Sequence, residues 1–400
     1  MLARFHQIDN TLTEYQPYWR FEPFLYARTD RYPSWPEHAS LCDWLQQLTP
    51  EQITELKSAP DKLTDTVSAF LPNDIAALTA LSRVDVAADV TLPPRLACGI
   101  PGRKLQQILS LSAVALTSDI KPEWLEWCSG KGYLGRLLAS ESGSAVTSLE
   151  YQRSLCESGQ READKLGLPM RFVQADALAD NATELMHNRQ HAVALHACGD
   201  LHISLLQKAA QKRLAAITLS PCCYHLTRDS HYQPMSQAAK QSCLRLSKAE
   251  LRIPLQETVT GGERVVRHRE TEMIYRLGLD ALLQQQLAIS DYLPIPSIKK
   301  SQLALGFEHF CQWAAAEKGI VLADCDYQYY QQIGEQRFWL MERLSLVQQL
   351  FRRPLEIWLA LDKCLFLQQQ GYQVTLTEFC DREITPRNIV IQALAKKAAK

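Results

Sequence analysis

Short apolar runs, each closed by a polar or small-residue turn and followed by a segment of helical period, recur through the middle of this chain. Trp124 to Trp127 is the first run, and Leu134, Leu137 and Leu138 then set an apolar stripe at i, i+3, i+4 spacing. Ser144 to Glu150, Met170 to Asp176, His191 to His196 and Ala215 to Leu219 repeat the pattern, with Tyr151 to Leu166 reading as helix between the second and third. Strands alternating with helices predict a parallel sheet with right-handed crossovers. Near the end, Tyr372 to Phe379 and Ile389 to Leu394 alternate in the manner of strands and predict a closing antiparallel pair.

In such a sheet a ligand sits beyond the carboxyl ends of the strands, and all five of the first strand ends carry polar or special residues. After the first run stands Cys128-Ser129-Gly130-Lys131-Gly132-Tyr133-Leu134-Gly135. Glycine lets the backbone turn tightly and approach a ligand, and the following helix offers unpaired N–H groups and a partial positive charge. A tight strand–helix turn with no ligand has the same pattern. Glu150 closes the second strand about 20 residues after the first glycine, where a carboxylate accepts hydrogen bonds from a ribose. A nicotinamide dehydrogenase and a methyltransferase both use such a turn. Glu126 before the turn, Cys128 where a dinucleotide fold favours glycine, and Asp176-Ala177 after the third strand, near an adenine, tilt the reading towards S-adenosylmethionine.

The predicted class is therefore α/β, with a Rossmann-like sheet and additions. Residues 1–95 form an N-terminal helical region, with Leu41, Trp44, Leu45 and Leu48 on one face and Pro50 and Pro60 as punctuation. Val90 to Pro94 reads as a linker. The Rossmann-like core covers 96–228. Residues 229–368 are too long for a loop and read as a helical insertion. Residues 369–400 return the chain for the last two strands.

Composition narrows the setting. A hydrophobic fraction of 46% supports a substantial core, and no apolar run approaches the roughly 18 residues of a membrane span. The start lacks the apolar region of a signal peptide. Twelve scattered cysteines without C-x-x-C pairs suit a reducing cytoplasm. Net charge is −1, so any nucleic acid must be held by a local patch. Tyr18, Trp19, Arg20, Phe21, Phe24, Tyr26, Arg28, Arg31, Tyr32 and Trp35 interleave aromatics with arginines in a way that suits single-stranded RNA. The same residues would also serve an arm docked on a core. Arg264, Arg267, His268 and Arg269, beside Gly261 and Gly262, read more readily as a solvated face, and Lys396, Lys397 and Lys400 as a basic tail.

Three blocks carry a family resemblance: Glu126-x-Cys128-Ser129-Gly130-Lys131-Gly132, His196-x-Cys198-Gly199-Asp200-Leu201 and Cys222-Cys223-Tyr224. They resemble the class I methyltransferases of the methyltransferase-like twenty-five and ribosomal-RNA-adenine-dimethylase-domain-containing group. More distantly, they resemble the tRNA ribose methyltransferases with a similar G-K-G, H-x-C-G and C-C series. Leu355 to Lys363 and Thr385-Pro386-Arg387-Asn388 are similar to the group's closing blocks, and Gly102-Arg103-Lys104-x-x-Gln107 is a looser match. The resemblance implies S-adenosylmethionine as cofactor, a class I sheet ending in an antiparallel pair, and RNA ahead of protein as the methyl acceptor. A scaffold that keeps the pocket without chemistry is the rival from another class.

Methyl transfer is an in-line displacement, so the protein mainly aligns donor and nucleophile, and a general base is optional. Glu126, Cys128, Ser129, Gly130, Gly132, Glu150, Asp176, Ala177 and His196 are the expected cofactor-binding residues. His196, Asp200, Tyr224 and His225 are the expected acceptor wall, with either histidine as base and Tyr224 stacking on or bonding the target. Asp200 as a helix N-cap and His196 as a satisfied core histidine are the structural alternatives. Cys198, Cys222 and Cys223 with a histidine have the chemistry to bind zinc, but adjacent cysteines make a poorer chelate than a C-x-x-C knuckle, so no metal is expected. Covalent attack by Cys222 and simple packing are the other readings of these thiols.

Overall fold

The computed structural model describes residues 1–33, 35, 39–71, 75–84, 94–118, 120, 122–256 and 263–396. The expected linker at 90–93, Gly261, Gly262, Lys397 and Lys400 lie outside the described residues. The chain forms two compact units, one of Met1–Glu14, Ala76–Val259 and Arg352–Lys400, the other of Tyr15–Ile75 and Thr260–Phe351. Both the expected N-terminal region and the expected insertion are thus divided between the units.

The first unit is built on seven strands: β1 (Glu123–Trp127), β2 (Val146–Glu150), β3 (Met170–Gln174), β4 (Gln190–Cys198), β5 (Ala216–Cys222), β6 (Tyr372–Glu378) and β7 (Ile389–Ala395). Their order is β3-β2-β1-β4-β5-β7-β6. Strands β1 to β5 pair in parallel, and β7 runs antiparallel to both β5 and β6. The order reverses at β1, so the ends of β1 and β4 flank the switch point at which open α/β sheets bind ligands. β5 is buried along its whole length, as expected of a strand covered on both faces.

Helix Tyr133–Ser142 follows β1 and presses Leu134, Leu137 and Leu138 onto Trp124, Val146 and Val193 of the sheet. Helix Gly102–Leu116, only loosely marked in the sequence, adds Ile108, Leu111 and Val114 to that core. Helix Arg352–Gln369 belongs with this unit, as does the first helix, Leu2–Glu14. Phe5 and Trp358 meet with ring centroids 5.4 Å apart, and Trp358 Nε1 donates to Asp9 at 2.8 Å.

The second unit is helical. Helices Glu263–Leu287, Phe307–Lys318 and Tyr327–Leu350 enclose Leu282, Phe307, Phe310, Cys311, Ala314 and Tyr330. In the segment 39–68, Leu41 and Leu45 are fully buried, as the stripe predicts. The aromatic–arginine arm is docked within this unit. Trp19 is fully buried, Tyr18 and Trp35 stack at 5.4 Å, and Arg28 pairs with Asp280 at 2.8 Å, both side chains buried. Most of the surface that would stack on bases is therefore committed to the core. Arg264, Arg267 and Arg269 are exposed, as a solvated face requires.

Candidate functional site

Six non-glycine residues among those described have positive φ, and three of them close adjacent strands: Cys128 (φ +55) after β1, His196 (φ +59) within the end of β4 and Cys223 (φ +46) after β5. Left-handed backbone is costly for side-chain-bearing residues and gathers at functional sites. A register shift between Leu195 and Ala197 accompanies the one in β4 and sets Cys198 opposite Cys222.

The turn after β1 is fastened to β2. Ser129 N donates to Leu149 O at 2.9 Å, and Gly130 N donates to Glu150 Oε2 at 2.9 Å. Glu150 Oε1 accepts from Gln152 N at 2.8 Å, so the carboxylate is held at the bend by two backbone donors. Gly130 has φ +60, and a Cβ there would meet nothing within 4 Å, so the backbone is open to a ligand on that side. Ser129 Oγ is buried without a hydrogen-bond partner among the described residues. An orphaned hydroxyl, an open glycine and an oriented carboxylate fit the polar groups of S-adenosylmethionine. Burial first, and then the charges of Glu150, Cys198 and Asp176, push the Cys128 thiol up to about 12. Asp176 Oδ1 is tied to Leu178 N at 2.9 Å, and Ala177 O accepts from Ser204 Oγ at 2.8 Å, fixing the turn after β3.

Glu126 is placed differently from the expectation. It is 3% exposed, accepts from Ser148 Oγ at 2.7 Å, and lies beneath helix Tyr133–Ser142 against Gly135, where an added Cβ would stand 2.5 Å from its Oε2. It supports the bend from behind rather than facing the cleft. Burial raises its carboxyl to about 7.

At the acceptor side, His196 Nε2 pairs with Gln107 Oε1 at 2.9 Å, so helix Gly102–Leu116 orients the ring. Burial lowers His196 to about 4; Cys223 opposes this, and Arg387 and Lys104 reinforce it. It is a satisfied neutral histidine near pH 7 and a weak base. Burial also lowers His225, with Arg252 and Lys248 acting in the same sense, and its buried Nδ1 has no partner among the described residues. Asp200 does not N-cap its helix: Gly199 holds that position, and Asp200 Oδ2 instead accepts from Arg228 N at 2.8 Å, anchoring the loop after β5.

Tyr224 is not on an open wall. It is 3% exposed, with Lys363 Nζ 5.1 Å from its ring centroid and His202 edge-on at 5.7 Å. Lys363 is itself buried, donating to Leu359 O at 2.9 Å and Tyr232 OH at 3.1 Å. Stacking on a target would require removing this packing. Nothing in the sequence marks Lys363 as the cation under Tyr224, because the two lie 139 positions apart (363 − 224).

Residues 103–230 match the family model of a methyltransferase domain. That match and the seven-strand order give this part of the chain the architecture of a methyltransferase domain. A mouse glutathione S-transferase C-terminal domain-containing protein is 33% identical over 126 residues, 30% of this chain and 19% of that relative. The chain therefore spans about a fifth of that relative's length. Among solved structures, a Pyrococcus abyssi tRNA (uracil-54, C5)-methyltransferase in complex with S-adenosyl-L-homocysteine is similar at TM-score 0.25 and 18% identity, over 29% of this chain and 28% of that one. A geranyl diphosphate methyltransferase in complex with GPP and sinefungin is similar at TM-score 0.27 and 17% identity, over 35% and 54%.

Proposed function

We propose that this protein is an S-adenosylmethionine-dependent methyltransferase acting on RNA. When bound, the cofactor supplies an electrophilic sulfonium methyl group. Gly130, with the Ser129 hydroxyl, receives its polar end, Glu150 takes the ribose hydroxyls, and Asp176 with Ala177 borders the base. The chain's own contribution is alignment: Gln107 orients the His196 ring, which burial keeps neutral, Asp200 fixes the loop that carries His225, and His225 is the proposed proton acceptor.

The observation that carries the acceptor assignment is the sign of the charge around that rim. Lys104 and Arg387 act on His196, Arg387 on Cys223, and Arg252 and Lys248 on His225, all as cations. Lys104, Lys248 and Arg252 are exposed. A cationic rim beside the donor site favours a polyanion, and the chain's net charge of −1 makes it a local feature rather than a general one. The resemblance of the G-K-G, H-x-C-G and C-C blocks to tRNA ribose methyltransferases points the same way.

The test is methyl labelling with tritiated S-adenosylmethionine of RNA and protein fractions from cells lacking this protein. Ribonuclease-sensitive label that depends on His225 and on the rim cations is the expected result. Label confined to protein, or none in either fraction, refutes the RNA assignment.

A further inference from the structure

We propose that Cys198, Cys222 and Cys223 form a binding site for one soft divalent cation of the zinc type, held by three thiolates with a fourth position open. Their sulfurs all lie within 4.8 Å of one another, and Cys198 Sγ and Cys222 Sγ are 3.4 Å apart. Three ligands at about 2.3 Å from one Zn²⁺ in tetrahedral geometry stand a little under 4 Å apart. The sulfurs thus need only small movements to close on a common ion.

Adjacent cysteines make a poorer chelate than a C-x-x-C knuckle, because neighbours in an extended strand point to opposite faces. The backbone removes that obstacle. Cys223 leaves β5 with φ +46, which turns its side chain back toward that of Cys222. The register shift in β4 brings Cys198 opposite Cys222 on the adjoining strand. Two residues with left-handed backbone, His196 and Cys223, stand beside the three sulfurs.

The electrostatics suit an anionic ligand set. Hydrogen bonds from Cys198 and then Cys222 pull the Cys223 thiol far down, with His225 and Arg387 adding to the effect, while Cys222 is pushed up as their donor. Binding M²⁺ releases the thiol protons to solvent, and three thiolates with M²⁺ carry a net charge of −1. Among the described residues, Cys198 Sγ also donates outside the cluster, to His196 O at 3.3 Å. Soft thiolates select zinc over the hard cations that prefer oxygen.

The experiment uses the full-length protein, reduced and then exposed to excess Zn²⁺ before desalting, with metal content measured by mass spectrometry. Co²⁺ titration of the same protein is followed by thiolate-to-cobalt charge-transfer absorption. One equivalent of zinc and an intense charge-transfer band are expected. Cys223→Ser and Cys198→Ser should abolish the band and weaken zinc binding by more than the roughly 10–100-fold that loss of an outer partner costs. Cys243→Ser, at an exposed cysteine, should leave both unchanged. Cys223 is only half-buried, so its variant is the one expected to keep the fold, checked by circular dichroism. Zinc well below one equivalent with no band in the wild-type protein overturns the proposal, as does a band that survives both cluster substitutions. None of these readouts depends on methyl transfer, so they stand or fall separately from the RNA assignment.

Discussion

Gly199 and Leu226 meet backbone to backbone: a Cβ on Gly199 would stand 1.9 Å from the Leu226 carbonyl oxygen. The contact joins the turn after β4 to the loop after β5, and it is reinforced by Asp200 N donating to the same oxygen at 3.0 Å. Gly199 also has φ +54 and ψ −126, a conformation in which a side chain costs about 1–3 kcal/mol before any clash. Gly199→Ala is therefore expected to lower stability by at least that amount and to displace His225. Chemical unfolding and the rate of methyl transfer check this; an unchanged unfolding midpoint would remove the contact from the account.

Glu150 is expected to govern cofactor affinity both through the ribose and through the bend that it fastens. Its two oxygens bond Gly130 N and Gln152 N, leaving lone pairs for ribose hydroxyls. Glu150→Gln should weaken S-adenosylhomocysteine binding by about 2 kcal/mol, the scale of a hydrogen bond to a charged group. Calorimetry measures it, with NAD as the comparison ligand. Tight NAD binding with no response to S-adenosylhomocysteine would overturn the methyltransferase reading.

What the sequence disclosed follows from the range of the forces involved. Strand and helix periods are local, so all seven strands were legible, including the return of the last two after a long helical segment. The bend at Gly130 and the carboxylate of Glu150 were legible because both belong to one βαβ unit. Tyr224 was misplaced on an open wall because its environment comes from Lys363 and His202, and neither contact has a local signature. For the aromatic–arginine arm the sequence offered a docked arm beside an RNA surface and could not name a partner, because Asp280, which pairs Arg28, lies 252 positions away. Likewise, no spacing rule foretold that Glu126 would turn beneath the helix to Ser148.

Three buried histidines predict acid sensitivity. Burial lowers His191 to about 3, His196 to about 4 and His202 to about 3, so the fold keeps them neutral. In the unfolded chain they take up protons near their ordinary value of 6.5. Their contribution is thus fully present above pH 6.5 and is lost as pH falls towards their folded values. Each group contributes about 1.4 kcal/mol per pH unit within that window. Urea unfolding at neutral pH and one unit below 6.5 should show a fall of roughly 4 kcal/mol from the three together. His191→Gln should shrink the slope by about a third on the same reckoning. A slope unaffected by that substitution would show that His191 charges in the fold.

Glu126 acts in the opposite sense, and its sign separates it from the histidines. Burial raises its carboxyl from 4.5 to about 7, against the opposing pull of the Ser148 hydroxyl and the Gly135 backbone. The folded protein therefore holds a proton there that the unfolded chain releases above pH 4.5. The stability tied to that proton is complete at pH below 4.5 and declines as pH rises through about 7. Ionisation at higher pH costs roughly 3 kcal/mol, from a shift of about two and a half units at 1.36 kcal/mol each. Glu126→Gln keeps an oxygen to accept from Ser148 and has no charge to bury. The variant should match the wild type in acid and exceed it by an amount that grows between pH 5 and 8, the range about that folded value. Paired urea titrations across that range measure the difference directly. A gap that stays constant with pH would mean that Glu126 is ionised in the fold and that a cation, Lys104 or Arg136, outweighs its desolvation.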